Sequence, residues 1–220
     1  MYFMLADKLK IDKIGRDKFF DILGKHGLLI KRKRNYTRTT DSYHRFRKYD
    51  NLLKNKELCR SNECWVADIT YLRIRKGFVY LFLLTDAYSR KIVGWDVSSS
   101  LSIEGGINCL RMALKQRGKP LPLMHHSDRG VQYCSKDYVK LLQKNGINLS
   151  MTEQNHCYEN AMAERVNGIL KDEFLLDATF DNHKVCRQSV KQAVFLYNKH
   201  RPHWGICLKT PEQMHQLMVA

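Results

Sequence analysis

The sequence contains no apolar run of about 18 residues, which excludes a transmembrane helix. Its opening residues, MYFMLADKLKIDK, have no uninterrupted apolar stretch followed by a cleavage site, so they do not read as a secretory signal. The seven cysteines (59, 64, 109, 134, 157, 186 and 207) are odd in number and scattered, which argues against a disulfide framework. None of them forms a pair with the two-residue gap common in zinc sites. Reduced thiols and a cytoplasmic location are expected. No internal repeat and no low-complexity segment is visible. Negative charge is also scarce: 22 Asp and Glu stand against 38 Lys and Arg, a formal net charge of +16.

A surplus of that sign and size suits a polyanion, most often nucleic acid. Its distribution supports this over mere solubility. Between residues 31 and 56 ten Lys and Arg face only Asp41 and Asp50, so half of the net excess sits in that stretch. Lys31, Arg32, Lys33 and Arg34 open it and are candidate DNA contacts. At 220 residues the chain can bury one full core with a small appendage. We read residues 1–30 as a short helical segment, 31–60 as a basic linker and 61–220 as the main domain.

In the first segment, residues 15–27 have Phe19, Ile22 and Leu23 at helical spacing, with Gly24 and Gly27 able to end the helix. This could be one piece of a helix-turn-helix unit. In the main domain, residues 65–75, 78–85 and 91–97 read as three strands with short connections, an antiparallel meander. A helix capped by Ser102 follows to about Arg117, with Ile103, Ile107, Leu110 and Leu114 as its apolar stripe. Then come a strand from Leu121 to His126, a helix over 135–145, a strand over 147–151, a helix over 159–174, and a last helix capped by Asp181 or Asn182. Three strands followed by helix–strand alternation predict an α/β fold, a mixed five-stranded sheet flanked by helices.

Asp68 lies inside a strand pattern, where aspartate is disfavoured. Asp128 stands where a strand ends, the place at which ligands of α/β sheets gather. Glu164 belongs to the helix over 159–174, on one face with Asn160, Asn167 and Lys171. Taken singly, each acid reads as a turn cap or a solvated carboxylate. Together, three carboxylates from three elements suit Mg²⁺ or Mn²⁺. They could hold two ions, with Asp68 bridging, for an in-line phosphoryl displacement.

These strings carry a resemblance. WVADITY around Asp68, TDAYSRKIVGW, HSDRGVQY around Asp128, ENAMAERVNGILKDEF around Glu164 and YNKHRPHWGICLKTPEQMH (197–215) occur in that order. The chain resembles the DDE transposases of bacterial insertion sequences of the IS-three type, specifically the integrase-like catalytic core encoded by the second reading frame. The 35 residues between Asp128 and Glu164 match the family's spacing. The resemblance covers about residue 15 to the end and implies an RNase H-like fold with Mg²⁺-dependent DNA cleavage and joining. By motif position it makes Asp68, Asp128 and Glu164 the catalytic acids. Lys171 becomes a phosphate or DNA-end contact, and Asn160, Asn167, Arg165 and His126 are weaker candidates.

The implied partners are DNA, at element ends and target, a first-frame transposase protein, and further copies of the chain. Two departures stand out. Relatives carry Asp-Pro where this chain has His156-Cys157, which should loosen the approach to the glutamate helix. The helices expected before residue 15 are shortened. The alternatives are an RNase H-like nuclease without joining activity, and a truncated, non-catalytic DNA-binding remnant.

Overall fold

The computed structural model describes residues 2–30, 45–118, 121–153 and 160–217. The chain divides into two compact units, Met1–Thr37 and Arg38–Ala220. In the first unit a 3-10 turn, Tyr2–Leu5, precedes α1 (Ala6–Ile11) and α2 (Arg16–Lys25). The expected helix is therefore present as α2. Its spacing buries Phe19 and Leu23 against Leu9 of α1, with Tyr2, Leu5 and Ile14 around them. Helix α1 was not expected, because six residues are too few to show a period.

The second unit is built on β1 (Cys64–Ile74), β2 (Gly77–Asp86) and β3 (Ile92–Ser98), which pair antiparallel in sequence order. The first hairpin closes at Gly77, whose φ of +111° a side chain would resist. Next come α3 (Ile103–Gln116), β4 (Leu123–Ser127), α4 (Val131–Cys134), α5 (Lys136–Lys144) and β5 (Ile147–Met151). Strand β4 runs parallel to β1, and β5 parallel to β4, giving the order β3-β2-β1-β4-β5. The chain continues through α6 (Ala161–Glu173), β6 (Thr179–Phe180), α7 (His183–His200), a 3-10 turn (Trp204–Ile206) and α8 (Pro211–Gln216).

The expected mixed sheet is thus observed, and β6 adds a sixth strand of two residues, parallel to β1. No helix among the described residues is long and apolar enough to cross a membrane. Cys59, Cys64, Cys109, Cys134, Cys186 and Cys207 are free thiols.

The nearly continuous apolar run of β2 is explained by burial on both faces. Phe82 and Leu84 pack with Trp65, Leu110, Tyr138 and Leu142 under α3 and α5. Leu81 and Leu83 pack with Val166, Leu170, Val190 and Tyr197 under α6 and α7. Burying a side chain of that size contributes roughly 1.5–3 kcal/mol, so the helices are clamped to both sides of the same strand.

Helix α3 approaches the sheet at glycines: a Cβ on Gly94 would run into the Cys109 carbonyl, and one on Gly105 into the Phe82 ring. A backbone carbonyl cannot rotate away. Gly94→Ala should therefore destabilise the fold by about 1–3 kcal/mol, as overpacking does, read as a lower denaturant midpoint at unchanged slope.

Helix ends follow the expected chemistry with one correction. Asn182 caps α7 through the Val185 N–H (3.1 Å), and Thr210 closes a capping box on α8 with Gln213. Ser102 does not cap α3: its hydroxyl is hydrogen-bonded to that of Ser100 at 2.8 Å and to the Glu104 carboxylate.

Candidate active site

Strands β1 and β4 pair only as far as Val66 and His126. Asp68 and Asp128 each stand two residues beyond that last pair, so parallel register alone sets them side by side where the sheet opens. Helix α6 crosses the opening. The carbonyl of Ala67, which β4 no longer reaches, accepts the Asn160 amide at 3.1 Å. Seven residues along the same face, the Asn167 amide donates to Asp68 Oδ2 at 2.7 Å. The Ile69 N–H donates to Asp68 Oδ1 at 2.9 Å. One further turn on, the Lys171 ammonium lies 4.9 Å from the centre of the Tyr71 ring, close enough for a cation–π contact. The expected polar row is thus a seam laid along β1.

Charge collects at this opening. Burial, and after it the neighbouring Asp128 carboxylate, pushes the Asp68 carboxyl up to about 7; the charge of Glu164 adds to this. Glu164, on the exposed first turn of α6, is also raised, by burial and then by Asp128. Asp128 accepts the Gly130 N–H at 3.0 Å, the turn that leads into α4. Among the described residues, no group of three or more His, Cys, Asp and Glu side chains is gathered tightly enough to hold a metal ion. The three acids stand within electrostatic reach of one another without being closed to ligand distance. The donor set nevertheless suits a hard divalent cation: carboxylate oxygens that repel one another, beside a buried Asn167 Oδ1 with no hydrogen-bond partner among the described residues.

The remaining candidates divide. Asn160 and Asn167 are buried and spend their donors on protein atoms. Burial lowers the Lys171 ammonium from its ordinary range. Arg165 is exposed on α6, and its charge bears on Tyr197 and His203. His126 is fully buried on β4, its Nδ1 2.8 Å from the Ser150 hydroxyl, a packed strand residue. Lys31, Arg32, Lys33, Arg34 and the His156-Cys157 pair lie outside the described residues. Sequence reasoning missed Tyr71. Its signal was weak, an aromatic three residues after Asp68 in a strand rich in them.

Models of the family described as "Integrase core domain" match residues 59–157 and 145–211. The chain is 33% identical over 210 residues to the insertion element IS600 uncharacterized 31 kDa protein of Shigella sonnei, covering 93% of this chain and 77% of that one. It is 32% identical over 200 residues to the transposase InsF for insertion sequence IS3A of Escherichia coli strain K12, covering 90% and 69%. Among solved structures, the HTLV-2 integrase catalytic core domain in complex with magnesium matches with a TM-score of 0.57 at 21% identity, over 71% of this chain and 98% of that one. A chain of the simian T-cell lymphotropic virus intasome in complex with a PP2A regulatory subunit matches with a TM-score of 0.62 at 18% identity, over 97% and 75%.

Proposed function

This chain belongs to the integrase-core transposases of IS3-type insertion sequences, and we propose that it cuts and joins DNA strands by direct phosphoryl transfer at Asp68, Asp128 and Glu164. Its fold is that of integrase catalytic cores, which is RNase H-like. The observation that carries the site is the register of β1 and β4, which sets Asp68 and Asp128 equally far past their last pair with the charge of Glu164 bearing on the first.

In the first step a water oxygen forms a bond to phosphorus as the bond to the DNA 3′-oxygen breaks. The freed 3′-hydroxyl then attacks a phosphodiester of the target, and the target's own 3′-oxygen leaves. Asp68, Asp128 and Glu164 would hold Mg²⁺ or Mn²⁺. When bound, two such ions activate the attacking oxygen and stabilise the leaving one, and offset the repulsion between three carboxylates and a phosphate. The chain's own contribution is positional. Asn160 ties the start of α6 to β1, Asn167 fixes the Asp68 carboxylate, and Lys171, held on Tyr71, would present a positive charge to the phosphate chain.

Asn167→Ala, which leaves Asp68 without its side-chain donor, should lower cleavage about 10–100-fold, the usual cost of removing such a supporting hydrogen bond. Initial cleavage rates at saturating Mg²⁺ would check this.

DNA at element ends and target is the proposed substrate, with a first-frame protein and further copies of the chain as partners. Incubating the protein with Mg²⁺, a pre-cut element end and a target plasmid distinguishes transposase from simple nuclease. Joined product is expected; hydrolysis with no joined strand would make the chain a nuclease.

A further inference from the structure

Behind the seam of acids, α6 meets a second charged cluster. Arg90, at the end of the turn between β2 and β3, has a backbone φ of +67°, uncommon for a residue with a side chain. Two hydrogen bonds pin it there: its N–H donates to the Asp86 carbonyl at 2.9 Å, and its carbonyl accepts the Tyr197 hydroxyl at 3.0 Å. Such strain persists only when the surroundings enforce it, and it collects at functional sites. The Arg90 guanidinium is half-buried, and burial lowers it from its ordinary range. It makes no hydrogen bond or ion pair among the described residues.

Arg165 of α6 contributes a second cation, also unpaired among the described residues. The third, Arg201, is already neutralised by Glu173 through two bonds of 2.6 Å. All three charges bear on His203, whose ring packs edge-on to Tyr197 at 5.1 Å. Burial and then Arg201 push His203 down to about 4, so its ring is neutral, and its buried Nε2 has no hydrogen-bond partner among the described residues. Next to it in the chain, Trp204 is 83% exposed on a 3-10 turn.

A half-buried cation and a buried ring nitrogen without partners among the described residues, inside a protein of net charge +16, describe a place for an anion. The exposed indole beside them suits the flat face of a nucleobase.

We propose that Arg90, Arg165 and His203 bind a backbone phosphate of the DNA away from the reacting one, and that Trp204 stacks on an unpaired base beside it. This rests on the transposase reading given above. It assigns a task to the C-terminal HRPHW segment: with Arg165 it makes this flank of α6 a second grip on the same DNA.

The test is the salt dependence of DNA affinity, measured on the full chain with a labelled duplex carrying an unpaired end. Removing a cation that neutralises one backbone phosphate should flatten the slope of log K against log salt by about one. Arg90→Asn is the substitution of choice, since asparagine tolerates a positive φ. Arg165→Gln, on an exposed helix position, cannot be dismissed as unfolding. Lys115→Gln, exposed on α3, serves as the control and should leave the slope unchanged. Trp204→Ala should weaken binding about tenfold with the slope unchanged, because stacking is not ionic. Slopes equal to wild type for both arginine variants would overturn the phosphate site, and unchanged affinity in Trp204→Ala would overturn the stacking. A wild-type protein that bound no DNA would instead refute the transposase reading.

Discussion

Asp68→Asn should abolish DNA cleavage and joining, by about three orders of magnitude or more, and should at the same time stabilise the fold at alkaline pH. The first effect follows from removing a charge that a metal-assisted displacement is worth several kcal/mol for, at 1.36 kcal/mol per tenfold in rate. The second follows from linkage. The Asp68 carboxyl titrates near 7 in the folded chain against an ordinary value of 3.8. Between those values the folded state holds a proton that the unfolded chain has released, so stability falls as pH rises through that window and the loss is complete above it.

The cost is on the order of a few kcal/mol. The asparagine variant lacks it. It should melt above wild type at pH 8, and the gap should close near pH 4. The amide also fits. Asn167 can turn its Oδ1, partnerless among the described residues, toward an asparagine at 68, so the pair remains bonded. Added Mg²⁺ should raise the melting temperature of wild type at pH 8 and leave the variant unmoved. A variant that keeps cleaving, or that melts in parallel with wild type across the pH range, would contradict this placement of Asp68.

Glu164→Gln should likewise lose Mg²⁺-dependent cleavage by about three orders of magnitude, while DNA binding survives. Glu164 lies on the exposed first turn of α6, where a carboxylate contributes only about 0.3–1 kcal/mol through the helix dipole. Burial and the Asp128 charge already oppose its ionisation. The neutral amide should fold as well as the acid and relieve repulsion toward phosphate, so affinity for DNA should hold or rise. Retained cleavage would remove α6 from the site.

Much of this arrangement is legible in the sequence, for identifiable reasons. The β1–β2–β3 meander announced itself because β2 is apolar on both faces and short turns separate the strands. Asp68 and Asp128 stood out because one interrupts a strand and the other ends one. What local pattern cannot carry is pairing. The equal distance of the two aspartates from Val66 and His126 exists only in the register of β1 with β4.

Helices α1 and α4 and strand β6 are too short to show a period, and β6 exists only because β1 runs on past β4 to meet it. By sequence, Asn160 and Asn167 of α6 are weaker candidates for DNA contact. The fold gives their amide donors to a strand end and a carboxylate, a use that depends on what lies opposite them. Arg165, next to Glu164 in the chain, is by sequence a weaker candidate for DNA contact, and because a helix turns about 100° per residue the two neighbours present different faces.

In the proposed function, three acids from β1, the end of β4 and α6 act as one metal-dependent site for joining DNA. The most direct measurement is strand joining between a pre-cut element end and plasmid. It would be followed against Mg²⁺ concentration for wild type, Asp68→Asn, Asp128→Asn and Glu164→Gln, each with DNA affinity measured alongside. Joined product in wild type alone, absent when the metal is chelated and absent from all three variants while they still bind DNA, is the predicted result. Joined product without a divalent ion, or at the wild-type rate from any one of the three variants, would contradict it.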